Sequence, residues 1–143
     1  MIEAICRSWG WTGIQPAEIV QMNPFGNVIV RDEGGAYWRI CPEELSCSLI
    51  AGDRAEYEHV IADPKFRLDW EMAKLLDLAS QHLGPLSDGH CYCLKTPGVL
   101  GGEYTIDNIG TIKVGELLQF AGDVGFQIRD LPDGQKIRFK VEP

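Results

Sequence analysis

The chain has 143 residues, 45% of them hydrophobic and 24% charged, with a formal net charge of −8 from 21 acids and 13 bases. Such a length suits one core that removes roughly two thirds of the unfolded surface from water, and the composition is ordinary for a globular protein. No apolar run approaches the roughly 20 residues that cross a bilayer, Met1 to Arg7 has no apolar signal core, and an acidic surface repels phosphates, so membrane, secretory and nucleic-acid-binding classes are set aside. The expected compartment is the cytoplasm; the negative charge reads first as solubility, and it would also attract a basic partner and speed association with it.

Met1 to Trp11 reads as a short helix or capping segment. A three-stranded meander follows: Glu18 to Met22, Asn27 to Arg31 and Ala36 to Ile40, joined by the turns Asn23-Pro24-Phe25-Gly26 and Asp32-Glu33-Gly34-Gly35. On the third strand Ala36, Trp38 and Ile40 share one face, and Tyr37 and Arg39 the other. Asp53 to Glu56 has capping-box spacing ahead of a helix whose apolar stripe is Tyr57, Val60 and Ile61. Asp63-Pro64 then supplies an N-cap with proline at the first helical position. In the longer helix that it starts, Leu68, Met72, Leu75, Ala79 and Leu83 recur at helical spacing until Gly84-Pro85 stops it.

His90 to Leu94 is a predicted strand, Thr96 to Gly102 a glycine-rich loop, and Thr111 to Val114 a short strand or the start of a helix. Leu117, Phe120, Ala121, Val124 and Ile128 return to a helical period. Gly122 and Gly125 each cost about 1 kcal/mol relative to alanine inside that helix, which points to close packing by another element. Leu131 to Gly134 is a predicted turn before a closing strand, Gln135 to Val141, with Ile137, Phe139 and Val141 inward and Lys136, Arg138 and Lys140 outward. The class is α+β: a mixed or antiparallel sheet with helices packed against it, in a single compact domain spanning 1–143.

Five cysteines (Cys6, Cys41, Cys47, Cys91 and Cys93) are an odd and irregularly spaced set, expected as reduced thiols packed like small hydrophobes. His90, Cys91 and Cys93 with Cys41 and Cys47 are the nearest approach to a metal or redox site. Paired zinc ligands usually stand two to four residues apart, whereas one residue separates Cys91 from Cys93 and five separate Cys41 from Cys47. On a strand, Cys91 and Cys93 share a face and fill core volume beside Trp38. Gly98 to Gly102 lacks both the Gly-Lys-Ser/Thr ending of a P-loop and the Gly-x-Gly-x-x-Gly pattern, and neither Gly-x-Ser-x-Gly nor His-Glu-x-x-His occurs. His59, His82 and His90 are scattered. The adjacent pairs Glu43-Glu44 and Asp32-Glu33 diverge on a strand or sit solvated in a turn, so no acid–base pair is assembled. Lys136, Arg138 and Lys140 read as a guard on an edge strand. Trp9, Trp11, Tyr37, Trp38 and Trp70 are expected mainly in the core, although such aromatics are also favoured at interfaces. No catalytic residue, cofactor or metal is expected.

Two dense blocks, Asn23 to Cys47 and His90 to Ile112, stand apart. The first reads Asn-Pro-Phe-Gly-Asn-Val-Ile-Val-Arg-Asp and then Tyr-Trp-Arg-Ile-Cys-Pro-Glu-Glu-Leu-Ser-Cys; the second contains Cys-Tyr-Cys-Leu-Lys-Thr-Pro-Gly-Val-Leu-Gly-Gly-Glu-Tyr and Asp-Asn-Ile-Gly-Thr-Ile. With Phe66 to Trp70 between them and Gln127 to Gly134 after them, they resemble the immunity proteins paired with type VI secretion DNase toxins. The resemblance runs from about Asn23 to Lys140, with Cys91 to Tyr104 its most specific part. Residues 1–22 are then a short N-terminal segment, and the extra N-terminal module of many members is expected to be absent or reduced. More loosely, the α+β pattern is similar to the SUKH group of nuclease-immunity domains.

The resemblance implies a non-enzymatic cytoplasmic inhibitor that binds a cognate toxin nuclease domain 1:1 and covers its active site. It implies no bound nucleic acid and no membrane. The blocks themselves are expected to build the scaffold, with contacts on exposed loops and helix faces. The candidate contacts are Asp53, Glu56, Glu58 and Asp63 around the first of the two helices, extended by Glu103 and Asp107 after the glycine-rich loop. The alternatives are immunity to a toxin of another chemistry, an RNase or a nucleotide-modifying enzyme, or a cysteine-dependent metal or redox module.

Overall fold

A computed structural model describes residues 1–131 of the chain. In order, these form α1 (Ile2–Trp9), β1 (Pro16–Met22), β2 (Val28–Asp32), β3 (Tyr37–Cys41), β4 (Ser46–Ala51), α2 (Arg54–Ala62), α3 (Pro64–Glu71), α4 (Ala73–Leu83), β5 (His90–Leu94), β6 (Ile109–Lys113) and α5 (Val114–Ile128). The α+β class holds, but the strands make two antiparallel sheets: four strands in the order β1-β2-β3-β4, and the pair β5-β6.

Strand alternation gives the larger sheet two apolar faces. Val30 pairs with Trp38 and Val28 with Ile40, so these four share one face, and Ile29, Tyr37 and Arg39 take the other. The first face is buried under α1 and α5, where Ile5, Trp9, Leu117, Leu118, Ala121 and Val124 join Val28, Val30 and Ile40 in one cluster. The glycines of α5 allow this close approach. A Cβ on Gly122 would lie 2.4 Å from the Ser8 carbonyl, and one on Gly125 3.0 Å from the Trp11 ring. Trp9 Nε1 donates to the Leu118 carbonyl at 2.9 Å, and Trp11 Nε1, just past α1, to that of Gly122 at 3.1 Å, so two tryptophans tie the N-terminal segment to α5.

The second face is covered by α2 and α3. Tyr57 stacks on Tyr37 at 4.1 Å and 3°, and Val60, Ile61, Phe66 and Trp70 fill around it. The smaller sheet is also packed on both sides. Cys91 and Ile112 join the α1–α5 cluster, while Tyr92, Leu94 and Ile109 pack against Ala79, Leu75 and Leu76 of α4. The Asn-Pro-Phe-Gly turn joins the two sheets: Tyr92 N donates to the Pro24 carbonyl at 2.9 Å. At Gly26, with φ +71°, a Cβ would meet Leu117 at 2.8 Å and Cys91 Sγ at 3.0 Å, so the turn requires glycine twice over.

Three expectations change, and the reading of Thr111 to Val114 as strand or helix start is met by both. The long helix from Pro64 to Leu83 is two helices, α3 and α4, broken at Met72 with φ 47° and ψ 41°. Asn23 Nδ2 donates to the Trp70 carbonyl at 3.0 Å and lies 3.6 Å from Met72 Sδ, holding the break. The bend turns Phe66 and Trp70 onto the sheet and Met72, Leu75 and Leu76 toward Phe25, leaving Leu68 73% exposed. The meander has a fourth strand, β4, which the chain enters through Pro42 and a left-handed Leu45 at φ 51°. Thr111 to Val114 divides between the end of β6 and the first residue of α5. Glu43 is buried, where solvation was expected. The closing strand Gln135 to Val141 and all but Leu131 of the turn before it lie outside the described residues.

Candidate functional site

The second face of the larger sheet organises the polar chemistry. Along β3 its residues are Tyr37, Arg39 and Cys41: α2 covers Tyr37, α3 covers Arg39, and the Cys41 end is open. Arg39 is held on every side. Its Nε and Nη2 donate to Asn27 Oδ1 at 3.2 and 2.9 Å, and Nη1 donates to Asp69 Oδ2. Its guanidinium carbon lies 5.7 Å from the Phe66 ring centre and 5.2 Å from that of Trp70, which are cation–π distances.

Asn27 is fully buried and turns its amide to Glu43, at 3.0 Å to Oε1 and 2.9 Å to Oε2. The Cys41 thiol donates to Glu43 Oε1 at 3.0 Å. Glu43 reaches inward because Pro42 opens a 3-10 turn, Pro42–Glu44, closed by the left-handed Leu45. Glu44, on the same turn, points outward and accepts the Tyr104 hydroxyl.

Arg39, Cys41, Glu43, Glu44 and Tyr104 border a cleft of about 260 Å³. Its floor is the uncovered end of the β3–β4 ladder, where Arg39 pairs with Ser48 and Cys41 with Ser46. Its walls are Asp69 and Met72 from the α3–α4 break, and Glu44 and Tyr104 opposite. Burial, with the neighbouring Glu43 carboxylate second, pushes the Cys41 thiol up. Burial also raises Tyr104, helped by the acceptor Glu44. Both therefore remain neutral donors over the physiological range.

Tyr104 is placed by the loop between β5 and β6. Asn108 clamps that loop: its Oδ1 accepts Thr96 N, and its Nδ2 donates to the carbonyls of Thr96 and Glu103, all at 2.9 Å. A Cβ on Gly102 would lie 1.8 Å from the Thr96 carbonyl, so the second glycine-rich block is there for close backbone approach. Residues of both sequence blocks thus line the cleft.

The predicted contact residues are all exposed but fall in two places. Asp53 Oδ1 caps α2 by accepting Glu56 N at 2.8 Å, and Glu56 Oε2 accepts Gly52 N at 3.3 Å. Glu58 pairs with Arg54 at 3.3 Å, and Asp63 Oδ1 caps α3 through Lys65 N at 2.9 Å. Glu103 and Asp107 lie on the Tyr104 loop. The α2 acids therefore flank the Tyr37 end of the sheet face and the loop acids its Cys41 end. Sequence reasoning missed Asn27, Arg39, Glu43 and Tyr104 because the contacts that join them (Asn27 to Arg39 and Glu43, Tyr104 to Glu44) span 12 to 60 residues.

The other candidate chemistry is dispersed. Asp32 accepts Gly34 N and Ala36 N in its turn and Trp38 Nε1 at 2.8 Å; the Trp38 bond is the main reason its carboxyl is held below the usual range. Burial raises the thiols of Cys47 and Cys93, and pushes Cys91 up to about 12. Among the described residues no group of three or more His, Cys, Asp and Glu side chains is arranged to hold a metal ion, and no helix is long and apolar enough to cross a membrane.

No curated protein matches the chain. Residues 51–125, from the end of β4 through most of α5 and so including the second block but not the first, match the family described as T6SS immunity protein Tdi1, C-terminal. The match covers more than half of the chain, which belongs to this family of type VI secretion immunity proteins.

Proposed function

We propose that the protein binds the cognate toxin of a type VI secretion system, a DNase, and neutralises it by covering its active-site and DNA-binding region. Family membership over residues 51–125 carries this reading. The net charge of −8 supports the DNase part. A DNase holds phosphates in a cationic groove and commonly activates water with a metal, and an acidic surface competes with DNA for the first while shielding the second. The chain acts by 1:1 binding in the cytoplasm, without catalysis of its own. Protection of a genome demands very little free toxin, and nuclease–immunity pairs reach the limit of non-covalent affinity.

The contact surface in this reading is the side that carries α2, α3 and the Tyr104 loop, with Asp53, Glu56, Glu58, Asp63, Glu103 and Asp107 along it. The test is co-expression with a candidate type VI secretion toxin sought among the neighbouring genes. Survival, intact chromosomal DNA and a co-purifying 1:1 complex are the expected results. Death with degraded DNA beside abundant immunity protein, or failure to co-purify, would sink the reading. Degraded RNA or modified nucleotides in unprotected cells, in place of cut DNA, would keep the binding role and remove the DNase.

A further inference from the structure

Glu43 is a buried carboxylate held by neutral donors. It is 8% exposed, and the Asn27 amide and the Cys41 thiol are its hydrogen-bond partners among the described residues. Arg39, which shares Asn27 with it, is already committed to Asn27 Oδ1 and Asp69 and lies against two aromatic rings. Buried charges are as a rule matched by an opposite charge, because desolvating one alone is costly. Glu43 borders the cleft, and so do Glu44 and Asp69, giving three carboxylates against one occupied guanidinium. The volume of about 260 Å³ is below the roughly 300–1,000 Å³ of pockets that enclose small-molecule ligands. Ser46 and Ser48 on the floor add hydroxyl acceptors. One side chain with a cationic head fits this size and charge.

We propose that the cleft receives a single lysine or arginine of the toxin, with Glu43 and Glu44 on one wall and Asp69 on the other as the carboxylates that meet it. The proposal rests on the toxin-binding reading above and places its central anchor. A surface built to hold phosphates offers such cations, and charged anchors set in a desolvated pocket at the centre of an interface carry much of its affinity. The cleft lies on the same sheet face that α2 and α3 cover, and the loop bearing Glu103 supplies its Tyr104 wall, so the anchor is continuous with the acidic surface on both sides.

The experiment is calorimetric titration of the purified chain with the catalytically inactivated domain of the toxin that co-expression identifies. Two variants are compared with the natural chain: Ser48→Arg, which puts a guanidinium into the cleft, and the near-isosteric pair Glu44→Gln with Asp69→Asn. Each is expected to weaken binding by about tenfold or more, with an unchanged melting transition for Ser48→Arg and a lowered one for the pair, which removes the counter-charge of Arg39 but leaves the chain folded at the temperature of the titration. A Glu44→Arg variant should weaken it further and regain affinity when one toxin lysine or arginine is replaced by glutamate. The carboxamide pair keeps the test decisive should the bulkier Ser48→Arg disturb folding. Tight binding by the natural chain and equal binding by the carboxamide pair overturns the cleft and leaves the immunity reading standing. Loss with Ser48→Arg but not with the carboxamide pair assigns the cleft to a neutral group and also overturns the proposal. Absence of binding by the natural chain removes the immunity reading itself.

Discussion

Asn27 holds together charges that would otherwise be stranded. Its oxygen accepts Arg39 and its amide serves Glu43, so one buried residue joins β2, β3 and the turn before β4. Asn27→Ala leaves Glu43 with the Cys41 thiol and Arg39 with Asp69. The expected loss is about 3 kcal/mol, because a buried charge deprived of its partner keeps its desolvation cost. Denaturant unfolding with an unchanged slope would measure it; a loss under about 0.5 kcal/mol, the scale of an ordinary surface substitution, would show that water replaces the amide. The cysteines give a second residue-scale prediction. Cys6 is exposed, whereas the other four thiols are buried or half-buried and held protonated. Iodoacetamide at pH 8 should add one group quickly and five after unfolding, counted by mass, since the thiolate is the nucleophile. Burial raises Cys91 from 9.0 to about 12, so the neutral thiol is the form that folding favours. Its stabilisation is whole below pH 9 and is lost as the pH climbs toward 12, and Cys91→Ala should flatten that alkaline decline.

Among the elements, α5 shows how sequence and packing divide the information. Gly122 meets Ser8 so closely that Gly122→Ala must push α1 away, at a cost of about 2 kcal/mol. A Cβ on Gly115, in the first turn of the same helix, has nothing within 4 Å, and Gly115→Ala should stabilise by about 0.5 kcal/mol. Thermal melts of the two variants should therefore move in opposite directions; movement in the same direction would refute the α1–α5 contact. The sequence made that contact legible, because two glycines inside an apolar helical period need a close neighbour. It likewise made the caps at Asp53 and Asp63 legible, since capping is local chemistry. The break at Met72 was not legible. The apolar period runs unbroken through it, and the group that holds it, Asn23, comes 49 residues earlier. Strand β4 was hidden for a related reason: Ser46-Cys-Ser carries little strand preference, and its pairing is dictated by β3. The cleft inherits both blind spots, as β4 supplies its floor and the helix break one wall.

For the whole molecule, the two coverings of the larger sheet differ in kind. The α1–α5 side is closed by tryptophans and glycine contacts, whereas the α2–α3 side is thin, with Tyr57 the one buried residue of α2 and none fully buried in α3. The outer surface of α2 therefore contributes charge at little cost to the fold. Glu56 and Glu58 are both exposed, with long hydrogen bonds of 3.3 Å to Gly52 N and Arg54. Glu56→Lys with Glu58→Lys should leave the melting transition nearly in place, because exposed pairs are worth about 0–1 kcal/mol. If α2 faces a basic toxin, the same change should slow association more than it speeds dissociation. The deficit should shrink as salt rises and the Debye length falls from about 30 Å at 0.01 M to about 10 Å at 0.1 M. Surface-plasmon kinetics across that range decide the point. Equal association rates for the natural and reversed chains at low salt would take α2 out of the encounter surface and leave the Tyr104 loop, with Glu103 and Asp107, as the side that meets the toxin.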